Sequence, residues 1–375
     1  MKIEGTNATT TKIRDALSMS YEEWQKAVEE WEEPRFRADQ ICGWIHAKKV
    51  FDYHSMTNLS KGLRDKLIYE ALVKVPIQLK EQRSSDGSRK YLWQLEDGNR
   101  VESVLLDHGN HTTACVSSQV GCPLACAFCA TGQTGYIRDL SAGEIVGQFL
   151  LMEKRLGRDI NNIVFMGMGE PLLNETNVFK SIGALNHPKM RNLGGRHITI
   201  STSGIVPGIR DLADFGTPVR LSVSLHASND SLRDKLMPVN KQYSLATLVE
   251  AMRHYKKRTS ERITIEYVLI DGVNDDPQFA FEIAALLDGL GVYVNVIPYN
   301  PIDTLIIGNA AKMTLKRPAP ARIKAFCAAL SELSIEFELR REKGTDILAA
   351  CGQLAGVLKD QNREQNREGA RDRLF

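Results

Sequence analysis

The 375-residue chain predicts an α/β fold: a partial (βα)6 TIM-like barrel with an N-terminal helical domain plus hairpin and a short C-terminal extension. Three observations carry that expectation. From about residue 115 onward, short runs rich in β-branched residues alternate with helical apolar patterns, as βαβ units of a parallel sheet require. Nearly every run ends in polar or glycine-containing residues (GMGE, STSG, SLH, IPYNP), and a βα barrel builds its active site at those strand ends. The composition, 43% apolar and 25% charged, is that of a globular chain long enough for about two or three domains with a real core.

The elements follow in order. Residues 1 to about 75 read as helices, with Phe36, Ile41, Trp44 and Ile45, then Leu59, Leu63, Leu67 and Leu72, near helical spacing. Asp86-Gly87 and Asp97-Gly98 are turn signals between β-rich runs and predict a hairpin. Barrel strands are expected at Cys115–Ser117, Ile163–Met166, Ile198–Ser201, Leu221–Ser224, Ile263–Leu269 and Val292–Ile297. Ile145, Phe149, Met152 and Leu156 mark one intervening helix. A last helix near 320–333 and a strand at Phe337–Leu339 precede the tail, whose alternating charges suggest a frayed or unstructured end. Periodicity alone cannot close a barrel, so a doubly wound sheet remains the alternative. The domain expectation is 1–105 for an N-terminal helical and hairpin RNA-binding region, 106–346 for the barrel, and 347–375 for a C-terminal segment.

Charge and hydropathy exclude several classes. With 48 basic and 46 acidic side chains the formal net charge is +2, which excludes a strongly basic nucleic-acid coat. No apolar run reaches the roughly 18 residues of a spanning helix. The opening MKIEGTNATTTKIRDAL lacks the apolar core of a signal peptide, so a cytoplasmic location is expected. Seven cysteines, an odd number in such a compartment, argue for metal or catalytic use rather than a disulfide scaffold.

Three of the seven, Cys122, Cys126 and Cys129, form C-x3-C-x2-C in GCPLACAFCATG. Thiolates this close converge on a polynuclear cluster or on a metal ion short of one ligand, and soft thiolates select zinc or iron–sulfur. Structural zinc wants four ligands, usually as two separated pairs, and no fourth Cys or His stands at pair spacing. A 4Fe-4S cluster normally takes four cysteines, so three leave one iron open for a non-protein ligand. The triplet, with Phe128 at the aromatic position, resembles the signature of the radical S-adenosylmethionine superfamily. The resemblance implies a 4Fe-4S cluster whose open iron is chelated by S-adenosyl-L-methionine (SAM). The later strand ends fit such a cofactor: Gly169 and Glu170 in GMGEP, Ser201, the trio Ser224, Leu225 and His226, and Asn300 in IPYNP are candidate contacts. Glycines there would let backbone carbonyls approach the cofactor's ammonium. Each of these alone is more often ordinary loop chemistry; their shared position beside the triplet makes them a set.

A wider match is more specific. CVSSQVGCPLACAFCATG, FMGMGEPLLN, ITISTSGIVP, SVSLHASND, KLMPVNKQY, NVIPYNP and AACGQLAG resemble the RlmN family of RNA adenosine-C2 methyltransferases, as do FRADQICGWIHAKKV and RSSDGSRKYLWQLEDGNRVESV. Only about the first 20 residues and the tail fall outside the match. The resemblance implies that Cys351 accepts a methyl group from one SAM and that a radical made from a second SAM activates it for addition to C2 of adenine. It further implies that Cys115 attacks Cys351, leaving a transient disulfide, and that Glu102 accepts a proton. Adenine C2 has no nucleophilic lone pair, so a radical route is the reasonable one; a thiolate suits the methyl acceptor and a second thiol the resolving group. Implied partners are 23S rRNA, tRNA and a reductant protein such as flavodoxin or ferredoxin, with the enzyme a monomer. The related C8-methylating (Cfr-type) enzymes are the near alternative; a non-methylating radical activase and an iron–sulfur or zinc RNA-binding protein are the distant ones. Cys42 and Cys327 lie in apolar helical patterns and read as packing residues. Arg35, Arg37, Lys48, Lys49, Lys61, Arg64 and Lys66 are either a phosphate-tracking face or the solvated side of helices. Two departures from the family pattern stand out: Leu348 in DI-x-AACGQ, and the apolar segment 302–315.

Overall fold

Capping side chains start the helices where the apolar stripes begin. Ser20 and Glu23 form a reciprocal capping box on Tyr21–Glu30, and Ser141 with Glu144 does the same on Ala142–Leu156. In the computed structural model, residues 13–302 and 315–354 are described; the chain start, most of the apolar segment at 302–315 and the charged tail lie outside them. Helices Tyr21–Glu30, Phe36–Cys42 and Lys61–Glu70 form the N-terminal bundle, closed by the short parallel pair β1 (Arg14–Asp15) and β2 (Ala71–Leu72). Ile41, Ile45, Leu63 and Leu67 are buried as their spacing predicts. Phe36 is not: it is 52% exposed at the first turn of its helix. Leu59 precedes the Ser60 cap and Leu72 belongs to β2, so the second helix is shorter than the apolar pattern implied.

The Asp-Gly turns join β3 (Ile77–Arg83), β4 (Arg89–Gln94) and β5 (Arg100–Asp107) into an antiparallel meander. It does not stand apart from the barrel. β5 pairs antiparallel with β6 (Thr112–Cys115), and the meander becomes one end of a ten-stranded sheet. The boundary expected at 105/106 therefore falls inside β5 and is corrected: the hairpin extends the barrel sheet. A separate antiparallel pair, β7 (Gln119–Gly121) and β8 (Tyr136–Asp139), flanks the cysteine triplet.

From β6 the sheet runs parallel through β9 (Asn162–Phe165), β10 (Ile198–Thr202), β11 (Arg220–Ser224), β12 (Ile263–Leu269), β13 (Tyr293–Pro298) and β14 (Glu336–Leu339). Each parallel strand neighbours the one before it in sequence, the order of a wound barrel; a doubly wound sheet would reverse at a switch point. β14 does not pair with β6, so the barrel is open. The parallel array has seven strands rather than six, because Glu336–Leu339 joins it beside β13. Cys115 ends β6 instead of opening it. Ile145, Phe149 and Met152 are fully buried behind the sheet. No helix among the described residues is long and apolar enough to cross a membrane.

Buried charge fastens the bundle to the barrel. Glu153, with no exposed side-chain surface, pairs with Arg191 at 2.5 Å and with Lys49 of the N-terminal region at 3.4 Å. Gly143 lets the first turn of its helix meet the bundle: a Cβ there would lie 2.2 Å from Asp15 Oδ2. Two outcomes follow. Glu153→Gln strips the counter-charge from a nearly buried guanidinium and should cost about 3 kcal/mol in denaturant unfolding. His46 is fully buried, its ring nitrogens lack a hydrogen-bond partner among the described residues, and burial pushes it down to about 3. The unfolded chain takes up this proton near pH 6.5. His46 therefore costs no stability above that pH and erodes it progressively as pH falls toward 3. His46→Leu should flatten the pH dependence of unfolding free energy across this window by about 1.4 kcal/mol per pH unit.

Candidate active site

Strand ends and two loops wall one open cavity of about 960 Å³. Cys122, Cys126 and Cys129 line it together with Gly169, Glu170, Ser201, Ser224, His226, Asn300 and Cys351. The triplet loop is placed by backbone bonds: Cys122 N donates to Gly135 O (2.8 Å), Ala127 N to Leu236 O (2.9 Å) and Ala130 N to Gly352 O (2.7 Å). Burial raises all three thiols, Cys122 to about 12, so a bound cation must offset the cost of forming thiolates. Among the described residues no group of three or more His, Cys, Asp or Glu side chains is arranged to hold a metal ion. Three soft thiols on one wall, with open space beside them, have the donor chemistry of a 4Fe-4S cluster with a vacant iron.

The glycines of GMGEP line this cavity and also pack closely against a neighbouring segment of the chain. Met168 O accepts from Ser118 N (2.8 Å) and Gln119 N (3.2 Å), so it is turned toward the β6–β7 connection. A Cβ on Gly167 would sit 2.6 Å from Val116 O, and one on Gly169 (φ +100) 2.5 Å from Gln119 Cβ. These glycines allow two chain segments to touch. Glu170 is buried, which raises its pKa; its carboxylate accepts from Leu172 N (3.1 Å) and Ser203 N (2.7 Å), stapling one strand-end loop to the next.

His226 sits at φ +56 with its ring edge-on to Phe128, centroids 4.6 Å apart. Burial pushes it down to about 3, so it is neutral; Nδ1 accepts from Val268 N (3.0 Å), which leaves the proton on Nε2. Leu225 does not line the cavity. Its side chain is in the core, its N–H donates to Glu266 O and its carbonyl accepts from Arg233. Arg233 was not singled out from the sequence. Fully buried, it donates to the carbonyls of Ser203 (2.7 Å), Ser224 (3.0 Å) and Leu225 (3.1 Å), clamping the ends of β10 and β11. The one signal was an arginine in the first helical turns after a strand end, in SLRDKL.

Cys115 and Cys351 share a second, adjoining cavity of about 690 Å³ that Asn300 and Arg340 also line. Burial, then the neighbouring Cys351 sulfur, push Cys115 up to about 12; Arg340 opposes this. Cys351 is exposed. Its segment is latched to the β3–β4 turn: Ser84 Oγ and Ser85 N donate to Asp346, and Gly344 N donates to Asp86. Glu102 is placed differently from the cysteines. It is buried, 3.2 Å from Lys90 Nζ, and lines neither cavity. The cations of the N-terminal region are partly spent within the fold: Arg35 pairs with Glu29, Arg37 with Glu33 and Lys49 with Asp159, and Lys48 covers the Trp44 ring.

Residues 116–282 match the radical SAM superfamily, and residues 15–73 match the ribosomal RNA large subunit methyltransferase N-terminal domain. A Thermotoga neapolitana protein named probable dual-specificity RNA methyltransferase RlmN is 49% identical over 344 residues, 91% of this chain and 97% of its own. A Petrotoga mobilis protein of the same name is 49% identical over 88% of this chain and 93% of its own. The crystal structure of a radical SAM methyltransferase from Sphaerobacter thermophilus superposes with a TM-score of 0.86 at 40% identity, covering 91% of this chain and 99% of that one.

Gly169→Ala combines a disfavoured φ with a backbone clash and should destabilise the fold by about 3 kcal/mol, read as a lowered thermal midpoint.

Proposed function

The chain belongs to the RlmN family of radical SAM methyltransferases, and on that premise we propose that it methylates C2 of an adenosine in 23S rRNA, and of an adenosine beside the anticodon in tRNAs. One observation carries this: two thiols far apart in sequence, Cys115 and Cys351, face one cavity that adjoins the cavity walled by the cysteine triplet. A radical enzyme without a methyl-carrying step has no use for that pair.

Cys122, Cys126 and Cys129 would hold a 4Fe-4S cluster. When bound, the cluster and SAM supply a hydrogen-abstracting radical and, from a second SAM, a methyl group. The chain's own residues do the rest. Cys351, on an exposed loop at the junction of both cavities, accepts the methyl group at Sγ and gives up its thiol proton. Asn300, which lines both cavities, is placed to orient the cofactor or the target base. Neutral His226 offers an Nε2 donor without bringing a charge, and Ser201 and Ser224 add hydroxyls at neighbouring strand ends. A base in folded RNA must be unstacked to enter. Once the methylene carbon is bonded to C2, the base must lose one electron, for which the cluster held by the triplet would be the acceptor, and Glu102 takes up the C2 proton. Cys115, as thiolate, then attacks Cys351 Sγ. The S–S bond forms as the carbon–sulfur bond breaks; the electron pair stays with carbon, and a proton completes the methyl group. Arg340 beside both sulfurs favours the thiolate that burial disfavours.

We assign RNA docking to the N-terminal helices and the chemistry to the barrel and the Cys351 segment. The enzyme works as a cytoplasmic monomer, with electrons from a flavodoxin- or ferredoxin-like protein.

RNA incubated with reduced enzyme and SAM should yield 2-methyladenosine on nucleoside mass spectrometry; 8-methyladenosine or no modified base overturns the proposal. Cys351→Ala should abolish methylation altogether. Cys115→Ala should instead accumulate a covalent protein–RNA adduct, visible as a gel shift that survives denaturation.

A further inference from the structure

Glu102 and Cys351 act on the same base in the proposed reaction, yet Glu102 lies outside the cavity wall and Cys351 on a segment that is almost irregular. Something must hold them in register. In β4–β5 pairing Lys90 stands opposite Val104, and in β5–β6 pairing Val104 stands opposite Cys115, so the three side chains form one row on one face. Glu102, two residues along β5 from Val104, shares that face. Lys90 is 4% exposed, and its Nζ lies 3.2 Å from Glu102 Oε1 and donates to Leu348 O at 3.2 Å.

An ammonium out of water is costly unless paired and hydrogen-bonded. Here the Glu102 carboxylate supplies the opposite charge and the Leu348 carbonyl accepts a hydrogen bond. The carbonyl is unusual in origin. Leu348 adopts left-handed backbone (φ +53, ψ +46), a conformation disfavoured for a non-glycine residue. The contact to Lys90 uses the main chain of Leu348, so it does not depend on the side chain by which this sequence departs from the family pattern.

We propose that Lys90 is a positioning residue of the methyl-transfer reaction, its ammonium tying the Glu102 carboxylate to the Cys351-bearing segment so that base, resolving thiol and methyl-carrying thiol keep one arrangement. This rests on the function proposed above. Ser84, Ser85 and Asp86 anchor the beginning of the same segment, and Lys90 anchors it three residues before the thiol. A compact point charge suits the site, since a carboxylate on a strand and a carbonyl in a separate turn, at equal distance, do not match a planar guanidinium fork.

Two readouts test this. Under anaerobic conditions, oxidised glutathione converts Cys115 and Cys351 to a disulfide. The two thiols lose two electrons and two protons, and the glutathione disulfide is reduced to two thiols. Peptide mass spectrometry follows the rate, without RNA or turnover. Lys90→Met should slow disulfide formation about tenfold with the cluster still loaded, and Lys90→Arg should recover part of the rate. In single turnover with RNA, Lys90→Met should still load methyl on Cys351 but accumulate the protein–RNA adduct. If Lys90→Met does not fold, Lys90→Gln, which keeps a donor for Leu348 but no charge for Glu102, must still accumulate the adduct. Wild-type disulfide and release rates in the folded variant overturn the role of Lys90. Absence of 2-methyladenosine from the wild-type enzyme overturns the function instead, and leaves the disulfide result to judge Lys90.

Discussion

An open barrel leaves an edge, and the rest of this molecule depends on how the edge at β6 is covered. Unpaired N–H and C=O groups on a central strand are costly when buried and adhesive when exposed. β5 supplies the missing partner in antiparallel sense, from Asp107–Thr112 to Val104–Cys115. That ladder carries Glu102 and, one strand further, Lys90 onto the face that Cys115 occupies. It also projects the β3–β4 turn far enough to grip Asp346 and Gly344. A different edge cover would leave the Cys351 segment without its anchor.

Behind the cavity, polar groups are tied to one another more than they are left open. Glu170 joins the second strand end to the third, Arg233 joins the third to the fourth, and Val268 N fixes the tautomer of His226. Each is buried, and each is satisfied largely by backbone. Such networks hold loops in place with little freedom to adjust, which suits a site that must present three thiols, a cofactor-sized space and a second cavity at once. The cost is that few substitutions at these positions can be neutral.

The parallel sheet was legible because β-branched runs and strand-end glycines are local signals, and the cysteine triplet because its spacing is diagnostic of soft-metal chemistry. The meander's attachment to the barrel was not, since two Asp-Gly turns announce strands but say nothing of which edge they join. The same limit applies to Leu225: its strand-end position is a local signal, but that its carbonyl meets Arg233, eight residues further along, is not. Gly167 and Gly169 were legible as close-approach positions, but their packing against Val116 and Gln119 was not, because sequence does not say which backbone comes near. Lys90 looked like any strand lysine. Only cross-strand register makes it a neighbour of Glu102.

The two thiols of the second cavity differ in depth: Cys351 is exposed, and Cys115 is buried with its pKa pushed up to about 12. If the pair closes into a disulfide, an outside thiol can reach only the Cys351 sulfur, and Cys115 must then be the leaving group. A thiol of such high pKa leaves slowly. On the proposed mechanism, regeneration would then be slow toward small thiols and would favour a reductant that can deliver a proton or displace the loop as it attacks, coupling the enzyme's recovery to its electron source.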